Sequence, residues 1–453
     1  MSQTKTQKID ATIGNLLNSI IKYVIPLIIG TLVQNCFNAI DLIVLGNMAD
    51  SNAVASVGAT SMIVSLVVNS FIGIVGGSKI ILAHQFGAKN SAQIKKTVDT
   101  AMITALGIGI IVAIIGVPLA PEILHMTNCP EECFSGAVSY IRIYVASAPA
   151  ILLYNFGSAV MTASGDSQRP LYYIIIGGMV NIVLNIILCL ILPQKVIAVA
   201  VATAVSQIAG AVLVIRRLCK IKGDGHITLT SLNFDFRSFT HIMSQGLPLA
   251  LNHSLYPFAS LQIQSAINIY GVSAIAGNSA CTTIEGIPGA FAGGFNSTST
   301  VFIGQNLGAG NKKRAQKSFL YCLLLSCVIG LVMGISIYFT GRIWLSFFLP
   351  DDPIGIEYGM IRMFFIILFY AVSCANGILS SAIQTNGYAI YTSLCSILCV
   401  CVFRLIWMWF VYPIFESFEV LMVCFLVSWL LLLICNLVGY FVFCRGFRKN
   451  QTF

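Results

Sequence analysis

Asp41 stands inside an apolar stretch, IPLIIGTLVQNCFNAIDLIVLGNMA, that begins at Ile25. A carboxylate in a bilayer-crossing helix is costly unless it pairs, takes up a proton or faces water. Gln34, Asn38 and Asp41 recur at helical spacings of four and three, so they share one face. A second polar stripe, Asn181 and Asn185, lies one turn apart on a later apolar segment, and Asn155 and Thr203 are placed to close a ring. Such a ring suits a cation or proton site; the plainer alternative is that Asp41 only hydrogen-bonds neighbouring helices. Glu285 is the other deep acid, set beside Gly286, Pro288 and Gly289. It is a candidate for the substrate cavity or for a cation, or it pairs with Arg404 and both are neutralised. His253 either reaches the cavity or packs. Lys79 is close enough to a helix end to snorkel and takes no role.

The elements that must carry these residues are membrane helices. Of 453 residues, 57% are hydrophobic and 9% charged. Soluble proteins carry roughly 25% charged residues. The mean hydropathy of +0.88 is spread along the whole chain. This excludes a secreted enzyme, a disordered regulator and a soluble domain on one anchor. Twelve apolar runs approach the roughly 20 residues a bilayer requires: 20–46, 53–83, 98–118, 137–160, 170–192, 196–215, 243–270, 273–303, 318–340, 358–383, 388–412 and 420–444. Their continuous apolar character makes them helices, not barrel strands. With a polar start and no small-residue cleavage site, no signal peptide is expected. The net charge of +9 comes from clusters between spans, such as Lys95–Lys96, Arg216–Arg217 and Lys312–Lys313–Arg314, and not from a nucleic-acid face. Acids gather in the alternate loops, which predicts a multi-pass protein of the inner (cytoplasmic) membrane with both termini cytoplasmic.

The two halves repeat. Gly87, Ala88 and Asn90 match Gly308, Ala309 and Asn311 at a constant offset of 221, and Pro26 matches Pro248 at 222. Gly165 matches Gly387, again at 222. Six spans separate the copies, so the repeat is parallel, with the site expected between halves. The expected fold class is an all-α integral membrane protein of twelve transmembrane helices in two pseudo-symmetric six-helix bundles. The N-terminal lobe covers 1–220, a cytoplasmic linker 221–242 and the C-terminal lobe 243–453. Pro26 and Pro248 are candidate hinges, because proline removes a helical hydrogen bond and crowds the preceding turn.

The stretch around Asp41, SGDSQRP, NIVLN and GQNLGAGNKKRA, with weaker support from GLPLAL and FRLIWMW, together resemble the multidrug and toxic compound extrusion (MATE) transporters over the whole chain. The pattern is closest to the DinF-like branch. The resemblance implies a secondary carrier that exports cationic amphipathic compounds by alternating access against an H⁺ or Na⁺ gradient. It also implies that Asp41 faces the Asn181–Asn185 pair in the N-lobe cation site. Similar members carry an aspartate where Asn185 stands and often a tyrosine where Phe37 stands, so one titratable carboxylate is lost here. Phe37 joins Glu285 and His253 as a substrate-cavity candidate. The runner-up is a lipid-linked oligosaccharide flippase of the same superfamily.

The remaining chemistry is sparse. No Walker loop, paired catalytic carboxylates, CxxC motif or clustered histidines occur, so neither an enzyme, an ATP-driven pump, a metal site nor a cofactor is expected. The expected partners are the bilayer and small cationic or amphipathic molecules, with no nucleic acid, and the protein is read as a monomer. Fifteen cysteines are scattered; only Cys129 and Cys133 suggest a disulfide. Sodium prefers several oxygen ligands and gains from a second carboxylate, whereas one carboxylate with amide and hydroxyl neighbours suits a proton. The coupling ion is therefore expected to be H⁺, with Na⁺ as the alternative.

Overall fold

Helix formation follows the apolar runs and is punctuated by Gly, Pro and Asn. The computed structural model describes residues 8–48, 51–127, 129–221 and 223–444, apart from the side chains of 38, 42, 43, 45, 47 and 51. Among the described residues every regular element is helical. The long helices are α1 (Leu16–Met48), α2 (Ser51–Ala88), α3 (Ser91–Met126), α4 (Glu131–Ala146 continued by Ala148–Ala163), α5 (Gln168–Ile191) and α6 (Lys195–Lys220). The second set is α7 (Phe236–Ile269), α8 (Val272–Gly308), α9 (Lys312–Phe339), α10 (Pro353–Thr385), α11 (Ala389–Phe415) and α12 (Phe418–Phe443).

Nine of these are long and apolar enough to cross a membrane among the described residues, and ten when the two parts of α4 count as one span. The parts of α4 are bent by 45°. The break at Ser147 is followed by Pro149, whose missing N–H and ring disfavour a straight continuation. The other two long helices, α7 and α8, have the length to span but carry more Ser, Thr, Asn and Gln. Large apolar side chains are exposed along the long helices. Ile110, Ile111 and Ile114 on α3 correspond, 221 residues on, to Leu331, Val332 and Ile335 on α9.

The repeat is visible in local structure. Asn90 caps α3 by accepting from the Gln93 amide, and Asn311 caps α9 by accepting from the Arg314 amide. Each cap satisfies a backbone donor that a helix start leaves without an internal partner. Lys89 and Gly310, one residue before those caps, both have positive φ, 52° and 74°. Gly165 and Gly387 take φ of 96° and 94°, a left-handed conformation that favours glycine. Packing repeats as well. In the first unit α2 packs on α3 and α4, α3 on α4, and α4 on α6; in the second, α8 packs on α9 and α10, α9 on α10, and α10 on α12.

The chain forms two compact units. One is Ile29–Gly246 with the segment ending at Asp10; the other is Ala11–Ile28 with the chain from Leu247 onward. The division therefore falls inside α1 two residues after Pro26, and inside α7 one residue before Pro248. Both prolines lie within continuous helices. Residues 11–28 are fixed in the second unit: Asn306 Nδ2 and Arg314 Nε both donate to the Ala11 carbonyl, at 3.1 and 2.9 Å. Tyr23 meets the Phe302 ring edge-on.

Candidate functional site

In the first unit, α5 forms one wall of a cavity. Its small residues Gly177 and Gly178 let another helix approach closely, and a Cβ on Gly178 would run into the Phe37 ring. The ring of Phe37 thus rests directly on the α5 backbone. Gly178, Asn181 and Asn185 follow at helical spacing on the same face. Both asparagines are buried, at 5% and 0% exposure.

Asn185 Nδ2 donates to Asp41 Oδ1 at 2.6 Å. The Asn181 amide atom that faces Asp41 lies 2.6 Å from Oδ1 and 3.1 Å from Oδ2. An ionised carboxylate only accepts, so against a charged Asp41 this atom is the nitrogen. Against a protonated Asp41 it is the oxygen, which then accepts the carboxyl proton. In that second orientation Asn181 Nδ2 donates to Thr203 Oγ1 at 3.4 Å, and Asn181 Oδ1 accepts from Asn185 Nδ2 at 3.2 Å. The orientation of this amide is thus tied to the charge of Asp41; with its nitrogen toward a charged Asp41 it also faces the Asn185 nitrogen at 3.2 Å, and the bond between the two asparagines is lost.

Gln34, Phe37, Asp41, Asn155, Asn181 and Thr203 line one cavity of about 240 Å³. Asn185 is sealed behind Asp41. Asn155 is held by a 2.8 Å bond from Nδ2 to the Ile151 carbonyl. Asn38 shares the predicted face of α1, but its side chain lies outside the described residues. Tyr144, Tyr154, Tyr173 and Gln207 also line the cavity. Sequence reasoning missed these four. The tyrosines sit among other aromatic and apolar residues, and the only cue for Gln207 is its spacing of one helical turn from Thr203 on α6.

Glu285 pairs with an arginine, but not with the one the sequence offered. Its Oε2 accepts from Arg362 Nη2 at 2.8 Å, and Arg404 is not its partner. The cause is helix packing: α8 lies along the first part of α10, which carries Arg362. Arg362 Nη1 also donates to Asn278 Oδ1 at 2.7 Å, and Asn278 Nδ2 donates to Gln264 Oε1 at 3.0 Å. An arginine inside the apolar run 358–383 was the available signal for this group. His253 is exposed on α7. The thiols of Cys129 and Cys133 are free, with their sulfurs 3.9 Å apart; a disulfide requires about 2.05 Å.

The sequence pattern of the MatE family matches residues 26–187 and again residues 248–410, once in each half. The chain belongs to the MatE family. Both matched segments start at the paired prolines. Among relatives of this MatE chain, the Probable multidrug resistance protein YoeA of Bacillus subtilis (strain 168) is 25% identical over 386 residues, 83% of each chain. The Multidrug export protein MepA of Staphylococcus aureus (strain MSSA476) is 21% identical over 341 residues, 75% of each. In fold, the chain is similar to an outward-facing multidrug resistance MATE family transporter of the MOP superfamily. That match has a TM-score of 0.88 at 19% identity and covers 98% of this chain and 99% of that one. It is also similar to a MOP superfamily transporter from Pyrococcus furiosus, whose pocket of reverse polarity suggests a different function for that protein. There the TM-score is 0.87 at 19% identity over 98% of each chain. These neighbours share the duplicated twelve-helix architecture. MatE proteins are membrane transporters and not enzymes.

Proposed function

We propose that this MatE transporter is a multidrug efflux carrier that exports cationic amphipathic compounds in exchange for protons, with Asp41 as the proton-carrying group. The observation that carries this reading is the single carboxylate in the cavity of the first unit, bound by the Asn185 amide at 2.6 Å and faced by the Asn181 amide. Burial of a carboxylate disfavours its charged form, and Asn181 is able to receive either form. The names of the relatives, for multidrug resistance and export, support the substrate class. The flippase alternative finds no support in them.

In this mechanism Asp41 loads a proton from the external side and releases it to the cytoplasm as the protein alternates access. Gln34, Asn155 and Thr203 provide polar contacts around it, and Phe37 and the tyrosines provide an apolar, aromatic wall for substrate. Asn38 joins them in this proposal by its helical spacing from Gln34 and Asp41 alone. The loop cations of the sequence support cytoplasmic termini and residence in the cell membrane, where the protein acts as a monomer. Pro26 and Pro248, inside continuous helices and beside the boundaries between the two units, are the proposed hinges of the exchange.

The test is tolerance of ethidium or norfloxacin in a pump-deficient host. Wild type should raise tolerance several-fold, and Asp41→Asn at equal expression should not. Unchanged tolerance with well-expressed wild type would contradict drug efflux.

A further inference from the structure

Arg404 is buried with no exposure, and its Nη1 and Nη2 have no hydrogen-bond partner. Arginine stays charged in proteins, so these atoms present four N–H donors in a plane with no acceptor. The side chain is held in place from its other edge: Nε donates to Ser428 Oγ at 3.2 Å, and Ser428 Oγ donates to the Phe425 carbonyl at 2.7 Å. The guanidinium carbon lies 4.2 Å from the Phe425 ring centroid and 5.5 Å from that of Tyr256. Arg362 approaches the same Phe425 ring at 5.3 Å, so the two guanidiniums are at most 9.5 Å apart. Glu285, the carboxylate of this group, is engaged by Arg362. Two buried cations and one carboxylate leave an excess positive charge in an apolar unit.

Local backbone geometry marks the same two residues. Arg362 immediately precedes the π-helical turn Met363–Ile367. Arg404 lies between the π-helical turns Ile397–Val402 and Trp407–Val411. Among the described residues these are the π turns of the chain, and such turns occur mostly at functional sites. Aromatic faces offset part of the cost of a buried cation, but a ring cannot accept in the plane of the fork.

We propose that the second unit holds an anion site on Arg404, taking a monovalent anion that its planar fork can grip: a halide, or a carboxylate whether free or borne by a transported compound. A carboxylate matches the two parallel N–H groups bidentately.

The test is thermal unfolding of the purified full-length protein at fixed pH and ionic strength. The bulky sulfonate HEPES serves as the reference anion, and chloride, acetate, norfloxacin or norfloxacin methyl ester is the probe. The wild type should show a saturable rise in Tm of about 2 °C or more. That rise should vanish in Arg404→Lys and persist in the exposed Arg342→Gln. A response to chloride or acetate assigns a free ion; a response to norfloxacin but not to its ester assigns a carboxylate on the substrate. If Arg404→Lys fails to fold, Ser428→Ala should shift the saturation midpoint several-fold upward. No saturable rise in the wild type with any probe, or the same rise and midpoint in the Arg404 or Ser428 variant, would overturn the proposal.

Discussion

Asn185 and Asp41 meet at 2.6 Å from positions 144 residues apart, one on α5 and the other on α1. The contact ties the half-buried carboxylate to a fully buried amide, so the charge of Asp41 is felt first at Asn185. Replacing Asn185 by leucine keeps the branched shape of the side chain and removes the donor. A hydrogen bond to a charged group contributes about 1.5–3 kcal/mol. Drug efflux in everted vesicles should therefore fall about tenfold or more in Asn185→Leu at unchanged expression; an unchanged rate would separate Asn185 from coupling.

Phe37 and Gly178 form the second constraint on the cavity. A methyl group at 178 meets the Phe37 ring and forces it off the α5 backbone. Overpacking of this kind costs about 1–3 kcal/mol. Gly178→Ala should lower Tm and substrate affinity, and the smaller ring-free side chain of Phe37→Leu should restore both in the double variant. Additive loss in that variant would mean that the two positions act separately.

The Glu285–Arg362 pair makes a different prediction, about stability. Arg362 is buried and Glu285 partly so; removing the carboxylate strands the buried charge, at a cost that reaches about 3–5 kcal/mol in fully buried pairs. Glu285→Gln should therefore lower Tm more than the double change Glu285→Gln with Arg362→Gln does. Equal losses, measured by thermal unfolding of the detergent-solubilised protein, would show that the pair is not coupled.

The parts of the architecture that depend on local pattern were legible in the sequence. Apolar runs located the helices, and the matched motifs around Asn90 and Asn311, and at Gly165 and Gly387, located the repeat, because caps and left-handed turns demand particular residues. Asp41, Asn181 and Thr203 were legible as polar residues at helical spacing in apolar surroundings. What remained hidden depends on rotation and contact between helices. Spacing does not say that Arg362 and not Arg404 reaches Glu285, because both are arginines in apolar runs and only helix packing chooses between them. The support of Phe37 by Gly178 is hidden for the same reason. So is the aromatic wall, since tyrosines in an apolar helix look alike whether they face a cavity or lipid.

Drug efflux from proteoliposomes under a pH gradient alone or a sodium gradient alone, with wild type and Asp41→Asn, tests proton coupling at Asp41 most directly. The account predicts efflux by the wild type under the pH gradient, none above protein-free background under the sodium gradient, and background efflux by Asp41→Asn under either. Sodium-driven efflux without a pH gradient, or full activity of Asp41→Asn, would contradict it.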